Sequence, residues 1–300
     1  MANLLKDLWI AELQNKFRHD KEFLRAIPRR DDLVNNDVIH WADIGADPDV
    51  LVNYTTSNGI PMVARTDSDA TISLDKFQTK RTPITDDELY ALPYDKEGSV
   101  IRQHREVLED KTAEYAIHNI APTTAVTGTK LILTSGGTNG ATHARKRMLV
   151  ADIIAAKKHM DALDVPRSGR LLVLSPDHVE DLLLISESFE KQYQNIREGQ
   201  VLRMYGFDIY EFTKTPLYSV VSTVLTKKAI DAAAAPTTDQ VSSVFFYAPN
   251  TLQALGSVKM YHKKAEDNPE YQQSEVNFRL YHKCFAKSLT GFGAIVAATV

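Results

Sequence analysis

The stretch Val165-Pro166-Arg167-Ser168-Gly169-Arg170-Leu171-Leu172-Val173-Leu174-Ser175-Pro176 decides how the middle of the chain folds. After a glycine turn comes a run of four large aliphatic residues, too short for a helix and typical of a strand covered on both faces. Ser175 then caps a helix, Pro176 suits a first turn that has no use for its amide hydrogen, and Asp177 favours the positive helix end. Some thirty residues later, Gly206-Phe207-Asp208-Ile209-Tyr210-Glu211 alternates as a half-buried strand does. Val244-Phe245-Phe246-Tyr247, stopped at Pro249, predicts another strand, with Ala232 to Asp239 as the loop before it. Upstream, Leu149, Ile153, Ala156, Met160 and Leu163 form one apolar stripe. They predict a helix over 141–163, capped by Thr138 or Asn139. Residues 123–270 therefore read as an α/β region.

Working outward, a long helix is expected from Ser99, a plausible N-cap, to Ile120, ended by Pro122. Its apolar positions Ile101, Leu108 and Tyr115, with Val100 and Val107 beside them, make one narrow stripe. Charges cover the rest, with Arg102/Glu106 and Arg105/Glu109 four apart. Such a rod buries one side and leaves the other wet. Before it, from 38 to 86, the period falls to two. Ala70-Thr71-Ile72-Ser73-Leu74 alternates, Val50 to Tyr54 is a second apolar run, and Asn58-Gly59 marks a tight turn. The expectation is a long two-stranded ribbon with too few large apolar residues for a core of its own, so it must lean on a neighbour.

Residues 3–26 carry Leu4, Leu5, Leu8, Trp9, Leu13 and Phe17 at helical spacing, up to Pro28. Six Lys/Arg lie between Lys16 and Arg30 against Asp20 and Glu22. That run is either a solvated helix face or a basic arm against DNA. At the other end, Val276 to Val300 reads as two strands, one through Cys284 and one from Phe292 to Ala298, with Gly291 and Gly293 at the bend.

The chain of 300 residues is 43% hydrophobic and carries a net charge of −4, so it is globular and not a wholesale basic nucleic-acid binder. One cysteine excludes an intrachain disulfide and points to the cytosol. Charges at Lys6, Asp7 and Glu12 break any signal-peptide core, and no apolar window is long enough to span a membrane.

Signatures of chemistry are weak. Ser135-Gly136-Gly137-Thr138-Asn139-Gly140, ahead of Arg145, Lys146 and Arg147, could cradle a phosphate at a helix start. It lacks the Lys-Ser/Thr of a P-loop, because Ala141 and Thr142 follow Gly140, and a glycine turn explains it as well. Nine histidines include pairs His104/His118 and His143/His159, fourteen and sixteen apart, too far to share an ion along one helix. Surface or interface histidines are expected. Ser175, Asp177 and His178 resemble a nucleophile set, but a capping serine spends its hydroxyl on backbone amides. Cys284 reads as a buried structural thiol. No catalytic, cofactor-binding or metal-binding residue is assigned.

The order of elements is helical arm, ribbon, solitary long helix, α/β region and returning strand pair. It resembles the major capsid proteins of tailed bacteriophages, whose fold is named for a Hong Kong lambdoid phage and is shared with encapsulin shells. The "VPxxGR-hydrophobic-SP" stretch at 165–176 and the "GF-x-I-Y" strand at 206–210 are similar to phage coat text. That resemblance implies an α+β capsid fold: an N-arm at 1–37, an extended E-loop at 38–90, and a peripheral domain at 91–122 and 271–300 with its spine helix at 99–120. An axial domain would occupy 123–270. It also implies a structural subunit, not an enzyme, forming pentamers and hexamers of an icosahedral head assembled in the host cytoplasm. Its partners would be a portal protein, packaged double-stranded DNA held non-specifically, and separate scaffolding and decoration proteins where these are used. The arm beginning almost at once implies a separate scaffolding protein or none. Lys76 and Lys80 fall on the E-loop, but no crosslinking partner is identifiable and none is carried over. The rival readings are an encapsulin-like compartment and a soluble α/β enzyme using the 135–140 loop.

Overall fold

The computed structural model describes residues 23–35, 37–43, 45, 47–55, 59–87, 96–139, 145–194, 202–221, 224–235 and 238–299. The chain opens with β1 (Val34–Asn35), β2 (Val38–Asp43) and β3 (Ser68–Ser73), then β4 (Asp75–Gln78) and β5 (Thr82–Thr85). Helix α1 (Lys96–Ile120), β6 (Thr129–Leu133), helix α2 (Val150–Ala162), β7 (Arg170–Leu174), α3 (Pro176–Ile185) and α4 (Glu187–Gln194) follow. Next come β8 (Leu202–Met204), β9 (Phe207–Glu211), β10 (Leu217–Val221) and β11 (Val224–Lys227). The chain closes with β12 (Asp239–Tyr247), β13 (Thr251–Lys263), β14 (Gln273–Ala286) and β15 (Phe292–Val296).

An eight-stranded sheet forms around β7, as its aliphatic run requires. β7 pairs β9 in parallel and β12 antiparallel, and β12 pairs β15 on its other edge. All five residues of β7 are buried, and they divide by parity. Leu172 and Leu174 join Phe207, Phe245 and Ile295 under helices α2 and α3, whereas Leu171 and Val173 join Phe246 and Phe292 on the opposite face. Ser175 caps α3 by accepting from His178 N at 3.4 Å, with Pro176 at the first position, as the sequence indicates. The 206–211 and 244–247 strands also form as expected.

The second sheet is built on a hairpin of two long strands, β13 and β14, with β4 and β5 paired to successive parts of β14. Helix α1 joins the two sheets. Its first half packs through Leu108 on Met260, Val276, Phe278 and Leu280 of the hairpin. Its second half packs Ala113, Ala116, Ile117 and Ile120 against Phe23, Leu24, Val244 and Phe246. Lys227 Nζ donates to the carbonyls of His118 at 2.7 Å and Ala121 at 2.6 Å, a cation at the negative end of α1. Its burial there brings its pKa down to about 8.

Several expectations need correction. Helix α1 begins at Lys96, so Ser99 lies inside the helix. Its buried stripe is Val100, His104, Leu108, Thr112 and Ala116, while Val107 is 56% exposed. Two polar residues on the buried face hid the true stripe. Helix α2 starts at Val150, not 141, because Asp152 reaches back to hold Leu149 N at 2.8 Å and Ser135 Oγ at 2.7 Å. The ribbon ladder ends at Ser73, and 75–85 joins β14 instead. Val50 to Tyr54 forms no strand. The last two strands part company: β14 stays with the hairpin sheet, and β15 inserts between β12 and β6. Gly291, with φ of 82°, makes the bend, whereas Gly293 sits inside β15. There, a Cβ would lie 2.1 Å from Phe245 Cζ and 2.3 Å from the Lys130 carbonyl oxygen. The expected helix over 3–26 lies largely outside the described residues; Phe23–Ala26 forms a single 3-10 turn. Asn58 also lies outside them.

Candidate assembly surface

The ribbon is fastened at its base. Asp37 turns the chain with φ of 61°, its carbonyl accepts from Leu74 N at 3.0 Å, and its carboxylate accepts from Ser257 N at 3.4 Å. Ile39 and Leu74 are buried there with Leu252, Ala254 and Phe285. Above this base, β2 and β3 pair from Val38↔Ser73 to Asp43↔Ser68. Past the ladder, Asp67 accepts from Gly45 N at 3.0 Å and from Arg65 Nη2 at 2.7 Å. The Arg65 bond, ahead of the Gly45 amide, holds the Asp67 carboxyl below the usual carboxylate range. Tyr54 Oη donates to the Gly59 carbonyl at 3.0 Å. These polar contacts shape the loop but bury nothing. Val50, Val52, Ile60, Met62 and Val63 stand between 68% and 97% exposed.

Single exposed aliphatic residues are ordinary, but five in one short loop form a patch of the kind that marks an interface. Covering such a side chain contributes about 1.5–3 kcal/mol. The sequence marks Val50 to Tyr54 as a second apolar run of the ribbon, but in the structure that run lies in the loop and pairs with no strand.

The candidate chemical groups are engaged in structural contacts. In the glycine loop, Gly136 N donates to the Arg147 carbonyl at 3.0 Å, and Ser135 and Leu149 are held by Asp152. The carboxylate of Asp152 thus occupies the start of α2, where a phosphate would have to sit. Arg145 forms a buried ion pair with Asp181 and donates to the Asp177 carbonyl at 3.0 Å. His178 is fully buried and its ring bonds through Nδ1 to Ser243 Oγ at 2.6 Å, while the Ser175 hydroxyl meets only the His178 backbone amide. Burial pulls its pKa down to about 3, helped by the charge of Arg145. A sealed histidine cannot meet a substrate. Burial likewise pushes the Cys284 thiol up, in line with a structural role.

Histidines expected at surfaces are partly inside. His104 is buried and bonded to Thr82 Oγ1 at 2.9 Å, and His118 Nε2 meets the Lys228 carbonyl at 2.7 Å. Among the described residues, no group of three or more His, Cys, Asp or Glu could hold a metal ion. His143 lies outside the described residues. Lys76 and Lys80 are exposed at or beside β4.

A family model described as "Phage capsid protein" matches residues 68–282. The chain belongs to the phage capsid protein family. This capsid protein is a structural subunit of the virion shell. Its fold is the phage capsid fold found in solved capsids. One is the Mycobacterium phage Che8 structure, at 12% identity, TM-score 0.59, and 94% and 90% coverage of the two chains. Another is the capsid of cyanophage P-SCSP1u, at 16%, 0.63, and again 94% and 90%. A virus-like particle from Pyrococcus furiosus shares the fold at 12% identity and TM-score 0.57, covering 97% of this chain and 99% of that one. No curated protein matches the capsid protein by sequence.

Proposed function

We propose that this capsid protein forms pentamers and hexamers that close into an icosahedral head around double-stranded DNA, acting by association and without catalysis. The exposed apolar loop at 50–63 carries this reading. It sits on an anchored ribbon, and none of the described residues of its own chain covers it. Weak contacts of this kind, repeated around closed rings, sum to a stable shell. In domain terms, 1–37 serves as the N-arm, and the E-loop assigned to 38–90 has its free part at 38–73. The peripheral domain takes 91–122 and 271–300, its sheet completed by β4, β5 and β13, the last drawn from within 123–270; 123–270 is otherwise the axial domain, whose sheet receives β15. Assembly takes place in the host cytoplasm, with a portal protein and with scaffolding or decoration proteins where these are used.

Negative-stain microscopy of the expressed protein tests this reading. Shells, capsomer rings or polyheads are expected. Small discrete oligomers that never assemble would overturn it, and uniformly small particles loaded with protein cargo would favour the encapsulin-like alternative.

A further inference from the structure

The hairpin sheet has one packed face and one open face. Val258 and Met260 of β13 cluster with Val276, Phe278 and Leu280 of β14 and Leu108 of α1, and Phe77 of β4 packs against them. Side chains alternate along a strand, and ladder partners share a face. The register therefore puts Lys259, Tyr261 and Lys263 of β13, Arg279 and Tyr281 of β14, and Lys76 and Gln78 of β4 on the face away from α1.

On that face the guanidinium carbon of Arg279 lies 5.5 Å from the centre of the Tyr261 ring and 5.4 Å from that of Tyr281. Lys259 stands directly across the ladder from Arg279, and like charges so placed destabilise a sheet. Arg279 Nε is buried and has no hydrogen-bond partner among the described residues, a second cost. The one β14 carboxylate on this face, Glu275, is taken up by Arg81 at 2.9 Å. Lys76, Lys259 and Lys263 are exposed and, like Arg279, have no carboxylate partner among the described residues. The whole chain carries a net charge of −4, so composition does not account for such a face. Lysines on an edge strand deter stray pairing, which covers Lys259 and Lys263. It leaves Arg279 unexplained, because β14 has partners on both sides.

We infer that this face binds an acidic segment of a separate protein, with one carboxylate seated on Arg279 and others met by Lys259, Lys263 and Lys76. A planar guanidinium presents two parallel N–H donors that match the two oxygens of a carboxylate. The flanking tyrosine rings hold that fork in place before the partner arrives. An incoming anion also offsets the repulsion between Lys259 and Arg279. The inference concerns the single subunit and does not depend on shell closure.

Fluorescence anisotropy of labelled decaglutamate with the full-length, unassembled subunit tests it. Saturable binding is expected, weakening as salt rises. Arg279→Gln should weaken it about tenfold or more, and Arg279→Lys should not restore it, since an ammonium cannot make the two-pronged contact. Lys259→Gln and Tyr261→Leu should each weaken binding about threefold or more. Lys158→Gln, at an exposed position of α2, should leave it unchanged. Thermal unfolding verifies that each variant is folded, and the exposed Lys259 and Tyr261 positions carry the test if Arg279 variants unfold. No binding, or equal binding by the folded variants, overturns the inference. So does a duplex DNA of equal charge that binds more tightly through the same residues. Oligomers of the subunit that disperse on Arg279→Gln substitution would put a second copy on the face and overturn it too.

Discussion

The guanidinium of Arg170 donates from Nη1 to Oδ1 of Asp161 at 2.7 Å, tying the first residue of β7 to the last turn of α2. The same buried group bonds the Pro166 carbonyl through Nε at 3.0 Å and the Val165 carbonyl through Nη2. One arginine thus satisfies the backbone of its own approach, which has no sheet partner. Gly169, at φ of 83° and packed where a Cβ would meet Pro249 Cδ at 3.2 Å, turns that approach into the strand. The motif Val-Pro-x-x-Gly-Arg is therefore a strand-entry device and not a binding sequence. Arg170→Leu should cost about 3 kcal/mol, chiefly through two carbonyls left unpaired. Asp161→Asn should cost about 1 kcal/mol or less, because Asp161 is partly exposed. Urea midpoints of the unassembled subunit check both, and equal losses would contradict this division of roles.

The parts that local physics controls were readable in the sequence. Ser175, Pro176 and the four aliphatic residues before them announce a strand and a capped helix within a dozen positions. What was misread depends on distant partners. Asp152 moves the start of α2 by holding Ser135, seventeen residues away. Period two in 68–85 cannot reveal that Phe77 will face Leu280 of β14 while Ile39 faces Ile72. Phe292 to Val296 reads as a strand in any sheet. The exposed loop differs for the opposite reason: its apolar residues have no partner among the described residues of the chain.

Acid should weaken the subunit through His178. Its pKa is about 3 in the folded state, against 6.5 when free, because burial and then the charge of Arg145 lower it more than Asp181 raises it. The unfolded chain then takes up a proton below pH 6.5 that the folded chain refuses until near pH 3. Stability falls across that window, by up to about 1.4 kcal/mol per pH unit. His178→Asn, which keeps a partner for Ser243, should flatten the decline between pH 6.5 and 4.5. Parallel curves for the two proteins would remove His178 as the cause.

Gly293→Ala should be among the most damaging single-methyl additions in the chain. The new carbon would meet the Phe245 ring and the Lys130 carbonyl oxygen, and the latter is backbone of the neighbouring strand and cannot step aside. A loss of about 3 kcal/mol or more is expected from such overpacking. Gly137→Ala is the control, since nothing lies within 4 Å of its added carbon and its φ is not positive. The thermal midpoint should drop for the first variant and hold for the second.

The exposed loop separates folding from assembly. Replacing Val50, Val52, Met62 and Val63 by serine removes apolar surface that the lone subunit never buries, so its stability should stay within about 0.5 kcal/mol of the parent. In a shell, each contact would lose the burial of several aliphatic side chains. At about 1.4 kcal/mol per tenfold, loss of even two of them weakens each contact a hundredfold or more. Sedimentation and microscopy should then show folded subunits and few closed particles. A truncation meant to ask the same question must stay within 46–66. Removing 68–85 would also take β3, β4 and β5, two of which pair with β14, so failure to assemble would report a broken sheet. Normal shell yield from the serine variant would mean that the loop lies free in the assembled head.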